Sequence, residues 1–289
     1  RVMNLSQFLT DSARRQPEEI GLVWGEKTWG WSALEARATA FAAALRDRYG
    51  MRKGDRLLVQ SANCNQMFEA AFACWKLGCV WVPANFRQTP EEVAWLAMSS
   101  GAKGLLAGAE FDAHIAACKD VAFTVEIGGA GEDDYDTLVT EFAGVPVTVA
   151  AVDRDDPAWF FFTSGTTGKP KAAVLTHGQL AFVITNHLCD LMPGTGPDDA
   201  SIVVAPLSHG AGIHQLTQVA HGVKTILPGG TKFDPAEVWR LVAKWRVTNA
   251  FTVPTIVKML VEHPSVHEHD HSSLRYMIYA GAPMYRADQ

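Results

Sequence analysis

The sequence predicts an α/β fold of mostly parallel sheets covered on both faces by helices. Three observations predict it. Strand-like and helix-like segments alternate almost from end to end, and strands separated by helices of this length belong in parallel sheets. The helical segments carry start and stop residues at the expected offsets. Of 289 residues, 48% are hydrophobic and 19% charged, which is enough apolar side chain for a full core and too little charge for a disordered chain. A chain of this length forms one large or two ordinary domains.

Taken in order, Ser32 to Tyr49 reads as an Ala-rich amphipathic helix, with Ser32 as cap and Gly50 as stop. Arg56 to Gln60 is a short apolar strand. Asn65 to Leu77 is helical and closes at Gly78, and Val80 to Val82 is a strand. Thr89 caps a helix that runs to Ser99, with Pro90 at its first position and Glu91 and Glu92 in its first turn. Strands follow at Gly104 to Ala107 and Ala122 to Glu126. Ala158 to Phe162 and Ala172 to Leu175 read as two buried strands on either side of a polar loop. Further strands fall at Ser201 to Ala205, Val223 to Leu227, Asn249 to Thr252 and Tyr276 to Ala280, with helices between them such as Pro235 to Trp245. Met192 to Asp199, rich in Pro and Gly, is the expected linker.

Composition excludes several classes. The net charge of −6 leaves no basic footprint for nucleic acid or an anionic membrane. The richest apolar run, near Phe68 to Val82, is interrupted by Lys76 and Gly78 and is no membrane span. The first residues carry no apolar signal segment. The five cysteines have no Cys-x-x-Cys spacing and read as reduced thiols of a cytoplasmic protein.

The loop between the two apolar strands is the most informative stretch. Thr163 to Lys171 reads Thr-Ser-Gly-Thr-Thr-Gly-Lys-Pro-Lys. Glycines let backbone N–H groups approach an anion without a Cβ in the way, and hydroxyls and lysines add donors and charge. A polyphosphate is the natural ligand. The loop is not a Walker A motif, because only Thr166 and Thr167 separate Gly165 from Gly168, and Pro170 follows Lys169. That spacing argues against a GTPase or kinase-like enzyme.

Ser-Gly-Thr-Thr-Gly-Lys-Pro-Lys resembles the phosphate loop of the adenylate-forming (AMP-binding) superfamily, which includes acyl-CoA synthetases, luciferases and peptide-synthetase adenylation domains. Four further segments resemble that family in its order. They are Pro83 to Glu92, Pro206-Leu207-Ser208-His209-Gly210, Gly229 to Thr255, and Ser273 to Pro283. The resemblance implies two lobes: residues 54–192, ending with the phosphate loop, and residues 1–53 plus 198–289, a partial second lobe.

The resemblance also implies the chemistry, with acyl-CoA synthetases nearest. ATP activates a carboxylate as an acyl-adenylate, and CoA then displaces AMP. Positioning and charge stabilisation dominate such a reaction. Ser164, Thr166 and Thr167, with the N–H groups of Gly165 and Gly168, would hold the β- and γ-phosphates. Lys169 or Lys171 would offset charge on the leaving pyrophosphate, and Thr163 is the implied hydroxyl for Mg²⁺. Gly281, Ala282 and Pro283 would abut the adenine. His209 and Gly210 would line the acyl and pantetheine tunnel. The expected partners are a carboxylic acid, ATP and CoA. Neither nucleic acid nor a transmembrane segment is expected, and a homodimer stays open.

Other clusters read more plainly. His263, His267, His269, Asp270 and His271 are crowded within nine residues and suggest a solvated connector rather than a metal site. Gly128 to Gly131 lacks the final Gly of a dinucleotide fingerprint and reads as a loop. Arg87 reads as a surface cation. Ala172 and Ala280 stand where the family usually has Gly. The family's later metal-binding Glu, ribose-binding Asp and catalytic C-terminal lysine lie beyond Gln289, so the chain alone is expected to be inactive. If 289 residues were its natural length, a non-catalytic nucleotide-binding protein is the alternative.

Overall fold

The computed structural model describes residues 3–164, 168–230 and 232–289. Their strands are β1 (Ile20–Trp24), β2 (Lys27–Gly30), β3 (Arg56–Gln60), β4 (Val80–Pro83), β5 (Gly104–Gly108), β6 (Phe123–Ile127), β7 (Pro157–Thr163), β8 (Lys171–Thr176), β9 (Ala200–Val203), β10 (Lys224–Leu227), β11 (Asn249–Thr252) and β12 (Tyr276–Tyr279). The chain divides into two compact units. One holds the residues up to Thr10 with Ser32–Val183, the other Asp11–Trp31 with Ile184–Gln289.

The first unit is built on the sheet β6-β5-β3-β4-β7-β8. Every pair in it is parallel except the hairpin β7–β8. Helices cover the inner strands, so β4 and β5 are buried along their whole length, as a two-sided parallel sheet requires. Leu58, Val82 and Leu105 form the centre of one core cluster, against Val93 and Leu96 of the helix Pro90–Ser100. That helix is fixed at both ends. Thr89 and Glu92 close a capping box, and Gly101 ends it in the left-handed region at φ 63°.

The second unit repeats the plan with the sheet β12-β11-β9-β10-β1-β2. Again one edge is an antiparallel hairpin, here β1–β2. Ile202, Ile226 and Ala250 pack against Val238, Trp239 and Val242 of the helix Pro235–Trp245, whose cap is Asp234. Each sheet is therefore mostly parallel with one antiparallel edge strand. Among the described residues no helix is long and apolar enough to cross a membrane.

Three expectations change. Ala172, Ala173 and Val174 are exposed and Leu175 is half-buried, so this is not a buried strand, because β8 is the outermost strand of its sheet and pairs only with β7. The stretch 192–199 is not a loose linker. Met192 is fully buried, the Thr195 hydroxyl donates to the Met192 carbonyl at 2.8 Å, and Asp199 accepts from the Gly196 N–H at 2.8 Å, so the proline and glycine residues shape a packed turn of the second unit. Residues 1–53 do not all join the second unit. The pairing of β1 with β10 carries β1 and β2 there, while the helix Trp31–Asp47 lies almost wholly within the first unit.

Candidate functional site

The β7–β8 hairpin carries the polar loop. Ala158 and Trp159 are buried, and the strand then emerges so that Thr163 and Ser164 are exposed. Thr163 stands opposite Lys171 in the ladder, and its hydroxyl lies 3.4 Å from the Lys171 carbonyl. The two arms are thus pinned at the neck of the loop. Gly165, Thr166 and Thr167 lie outside the described residues. Gly168 has φ 87°, where only glycine is unstrained, and an added Cβ there would meet nothing within 4 Å. Its requirement is conformational rather than steric.

Both loop lysines are exposed. The Lys169 ammonium lies 5.9 Å from the centre of the Trp95 ring. The neck therefore presents the hydroxyls of Thr163 and Ser164 and two cations to solvent, a donor set and charge that suit an anion. Thr163 offers a hard oxygen with one long hydrogen bond, which suits a single place on a hydrated Mg²⁺.

The second unit supplies the other candidate residues. His209 caps the helix Gly210–Ala220, and its carbonyl accepts from the Gly212 N–H at 2.9 Å. Its Nδ1 lies 2.8 Å from the Ser208 hydroxyl, and burial pulls its pKa below the ordinary imidazole value. A neutral imidazole at the start of a helix is an uncharged polar group. Gly210 has a steric reason, since a Cβ there would come within 2.6 Å of the Phe251 ring on β11. Gly281 follows the edge strand β12 at φ 87°, and Gly281, Ala282 and Pro283 are all exposed.

Sequence reasoning missed two buried polar groups. Along the helix Gly210–Ala220, His214, Gln215, Thr217 and Gln218 are all buried. Nε2 of His214 meets the side-chain amide oxygen Oδ1 of Asn249 at 2.8 Å, and Gln215 donates to Ser201 and accepts from Thr225. Burial lowers the His214 pKa to about 3. The sequence gives little signal, because these polar residues are interleaved with the apolar Ile213, Leu216 and Val219 as on any amphipathic helix. In the first unit, Glu69 is fully buried. Arg37 Nε reaches its two oxygens at 3.0 and 2.9 Å, Tyr135 donates at 3.1 Å and Asn65 at 3.0 Å. A lone carboxylate inside Met67-Phe68-Glu69-Ala70-Ala71-Phe72 was the sequence signal. Trp95, beside Lys169, carried no signal.

The histidine-rich connector is used by the fold. His263 Nδ1 bonds the Ser265 hydroxyl at 2.7 Å, Asp270 pairs with Arg246 at 2.8 Å, and the His271 ring packs on Trp239. Among the described residues no group of three or more His, Cys, Asp or Glu could hold a metal ion. All five cysteines are free, four buried and Cys189 exposed.

Comparison with known proteins adds a second line of evidence. The family described as AMP-binding enzyme matches residues 9–289. Feruloyl-CoA synthase of an Amycolatopsis species is 33% identical over 98% of this chain and 55% of its own length. The 4-coumarate–CoA ligase 2 of Oryza sativa subsp. japonica is 29% identical over 84% of this chain and 46% of its own. The inhibitor-bound N-terminal domain of FACL13 from Mycobacterium tuberculosis superposes with a TM-score of 0.88 at 26% identity, covering 99% of this chain and 72% of that one. The chain spans about half the length of the curated relatives it matches.

Proposed function

The chain belongs to the AMP-binding enzyme family, and we propose that it supplies the nucleotide-activating part of a carboxylate–CoA ligase. In this reading a carboxylate oxygen attacks the α-phosphorus of ATP, the acyl–phosphate bond forms, and pyrophosphate leaves. The CoA thiolate then attacks the acyl carbon and AMP leaves. The first step needs no protein nucleophile, so its rate depends on positioning and on cancelling charge.

The residues take matching roles. Ser164, Gly165, Thr166, Thr167 and Gly168 hold the β- and γ-phosphates, Lys169 and Lys171 offset charge as pyrophosphate departs, and Thr163 gives one oxygen to Mg²⁺. Gly281, Ala282 and Pro283 flank the adenine, and His209 and Gly210 line the path of the acyl group and CoA. The aromatic acids in the names of the feruloyl and coumarate relatives make an aromatic acid the first substrate class to test. The free cysteines support a cytoplasmic setting.

The single observation that carries this reading is the pinned neck, Thr163 opposite Lys171, across a loop of this composition. The test supplies the intact protein that carries this chain with ATP, Mg²⁺, CoA and either hydroxycinnamic or fatty acids. Acid-dependent release of AMP and pyrophosphate is expected, fastest with hydroxycinnamic acids. Release of ADP and phosphate would overturn the assignment.

A further inference from the structure

We infer that Trp95 is a positioning residue of the phosphate loop, the resting seat of the Lys169 ammonium from which a polyphosphate draws it. The inference rests on the adenylation reading for what the loop binds, but its geometry is independent of that reading.

Trp95 touches both arms of the loop. On the entering arm, its ring meets Phe162 edge-on, with centroids 6.4 Å apart and planes at 80°. Phe162 is buried and immediately precedes Thr163. On the returning arm, the Lys169 ammonium lies 5.9 Å from the same ring. The support beneath the indole is rigid. Trp95 sits in the middle of Pro90–Ser100, the helix with a capping box at one end and a left-handed glycine at the other, and its neighbours Val93 and Leu96 are fully buried. The helix cannot easily follow the loop, so the loop is referenced to the helix.

The chemistry suits a seat that releases. Lys169 is exposed, and among the described residues no carboxylate pairs with it. A cation over an aromatic face near solvent is held more weakly than one in a charge-assisted hydrogen bond to phosphate oxygen. The indole therefore keeps a flexible lysine near the neck and yields it when a phosphate arrives. Pre-placement of this kind lowers the ordering cost of binding. Removing the indole should weaken capture of ATP more than it slows the bound reaction.

The experiment uses the intact protein with Trp95→Leu, Trp95→Phe, Lys169→Met and the Trp95→Leu/Lys169→Met double variant. Trp95→Leu should raise KM for ATP threefold to tenfold with kcat changed less than twofold, and Trp95→Phe should restore most of the loss. In the Lys169→Met background Trp95→Leu should raise KM far less than in the parent, leaving only what the Phe162 contact contributes. Magnesium pyrophosphate should change the tryptophan fluorescence of the parent, and that change should shrink in both Trp95→Phe and Lys169→Met. A merely structural Trp95 would lower stability without this split between KM and kcat. Unchanged KM in Trp95→Leu, full additivity with Lys169→Met, or a fluorescence response that survives both substitutions would each overturn the seat. A parent that binds pyrophosphate with the Trp95-dependent response yet makes no AMP would instead count against adenylation.

Discussion

The two polar clusters of the first unit use similar chemistry to opposite ends. Around Glu69, the carboxylates, guanidinium, phenol and amides are paired with one another, and Glu69 and Tyr135 are fully buried. Burial pushes the Glu69 carboxyl above the usual range, against the pull of Arg37. Around the β7–β8 neck, the hydroxyls and ammonium groups are exposed and hold few protein partners. Strong pairing marks the cluster that holds the fold. Weakly engaged donors on a fixed hairpin mark the one offered to a ligand. A search for perturbed ionisable groups alone would have picked Glu69 and passed over the loop.

The largest expected effect would break the comparison at its buried side. Glu69→Ala removes one partner of a buried ion pair and leaves Arg37 with Asp136 alone, and such a loss costs about 3–5 kcal/mol of stability. Urea unfolding would read it, while KM for ATP of the folded fraction should stay as in the parent. A loss under about 1 kcal/mol would mean that the network holds little of the fold.

Acid should next separate buried from exposed polar groups. Burial holds His177 in the first unit at about 4 and His214 in the second at about 3. Both lie below the unfolded value, so the unfolded chain takes up protons first as pH falls. Their contribution to stability is full above about pH 6.5 and is lost from there down toward the folded values. Between pH 6.5 and 5 the loss should be roughly 2 kcal/mol per histidine. Denaturant titrations across that range check the slope, and a flat profile would show that these rings are not held neutral.

Gly210→Ala sets a smaller, steric limit. The new methyl would press on the Phe251 ring, and overpacking of this kind costs about 1–3 kcal/mol. Thermal unfolding would measure it. A neutral outcome would mean that Phe251 turns aside.

Much of the fold was legible in the sequence, and the reason is periodicity. The helix Pro235–Trp245 and the strands β3 and β11 lie where their patterns place them, and Thr89 caps the helix that its spacing announces. The hairpin β1–β2 did not declare itself, because four residues of Lys27–Gly30 give too short a pattern. The error over residues 172–175 has a single physical cause. Apolar composition reports what a strand could bury, whereas its place at the sheet edge decides what it does bury. In the candidate site, Thr163 and Lys171 were legible as residue types in a motif. Trp95 was not, because a tryptophan on a half-buried helix looks like core until its neighbours in space are known. Glu69 was legible in principle as a carboxylate within an apolar run.

The most direct test of the contrast is Lys171→Met in the intact protein, with unfolding free energy and acid-dependent AMP formation measured on the same sample. An exposed loop lysine outside the paired network should leave stability within about 0.5 kcal/mol of the parent. AMP formation should fall more than tenfold, which is at least about 1.4 kcal/mol of lost transition-state stabilisation. A variant that loses stability in step with activity, or that keeps the parent's rate, would contradict the account.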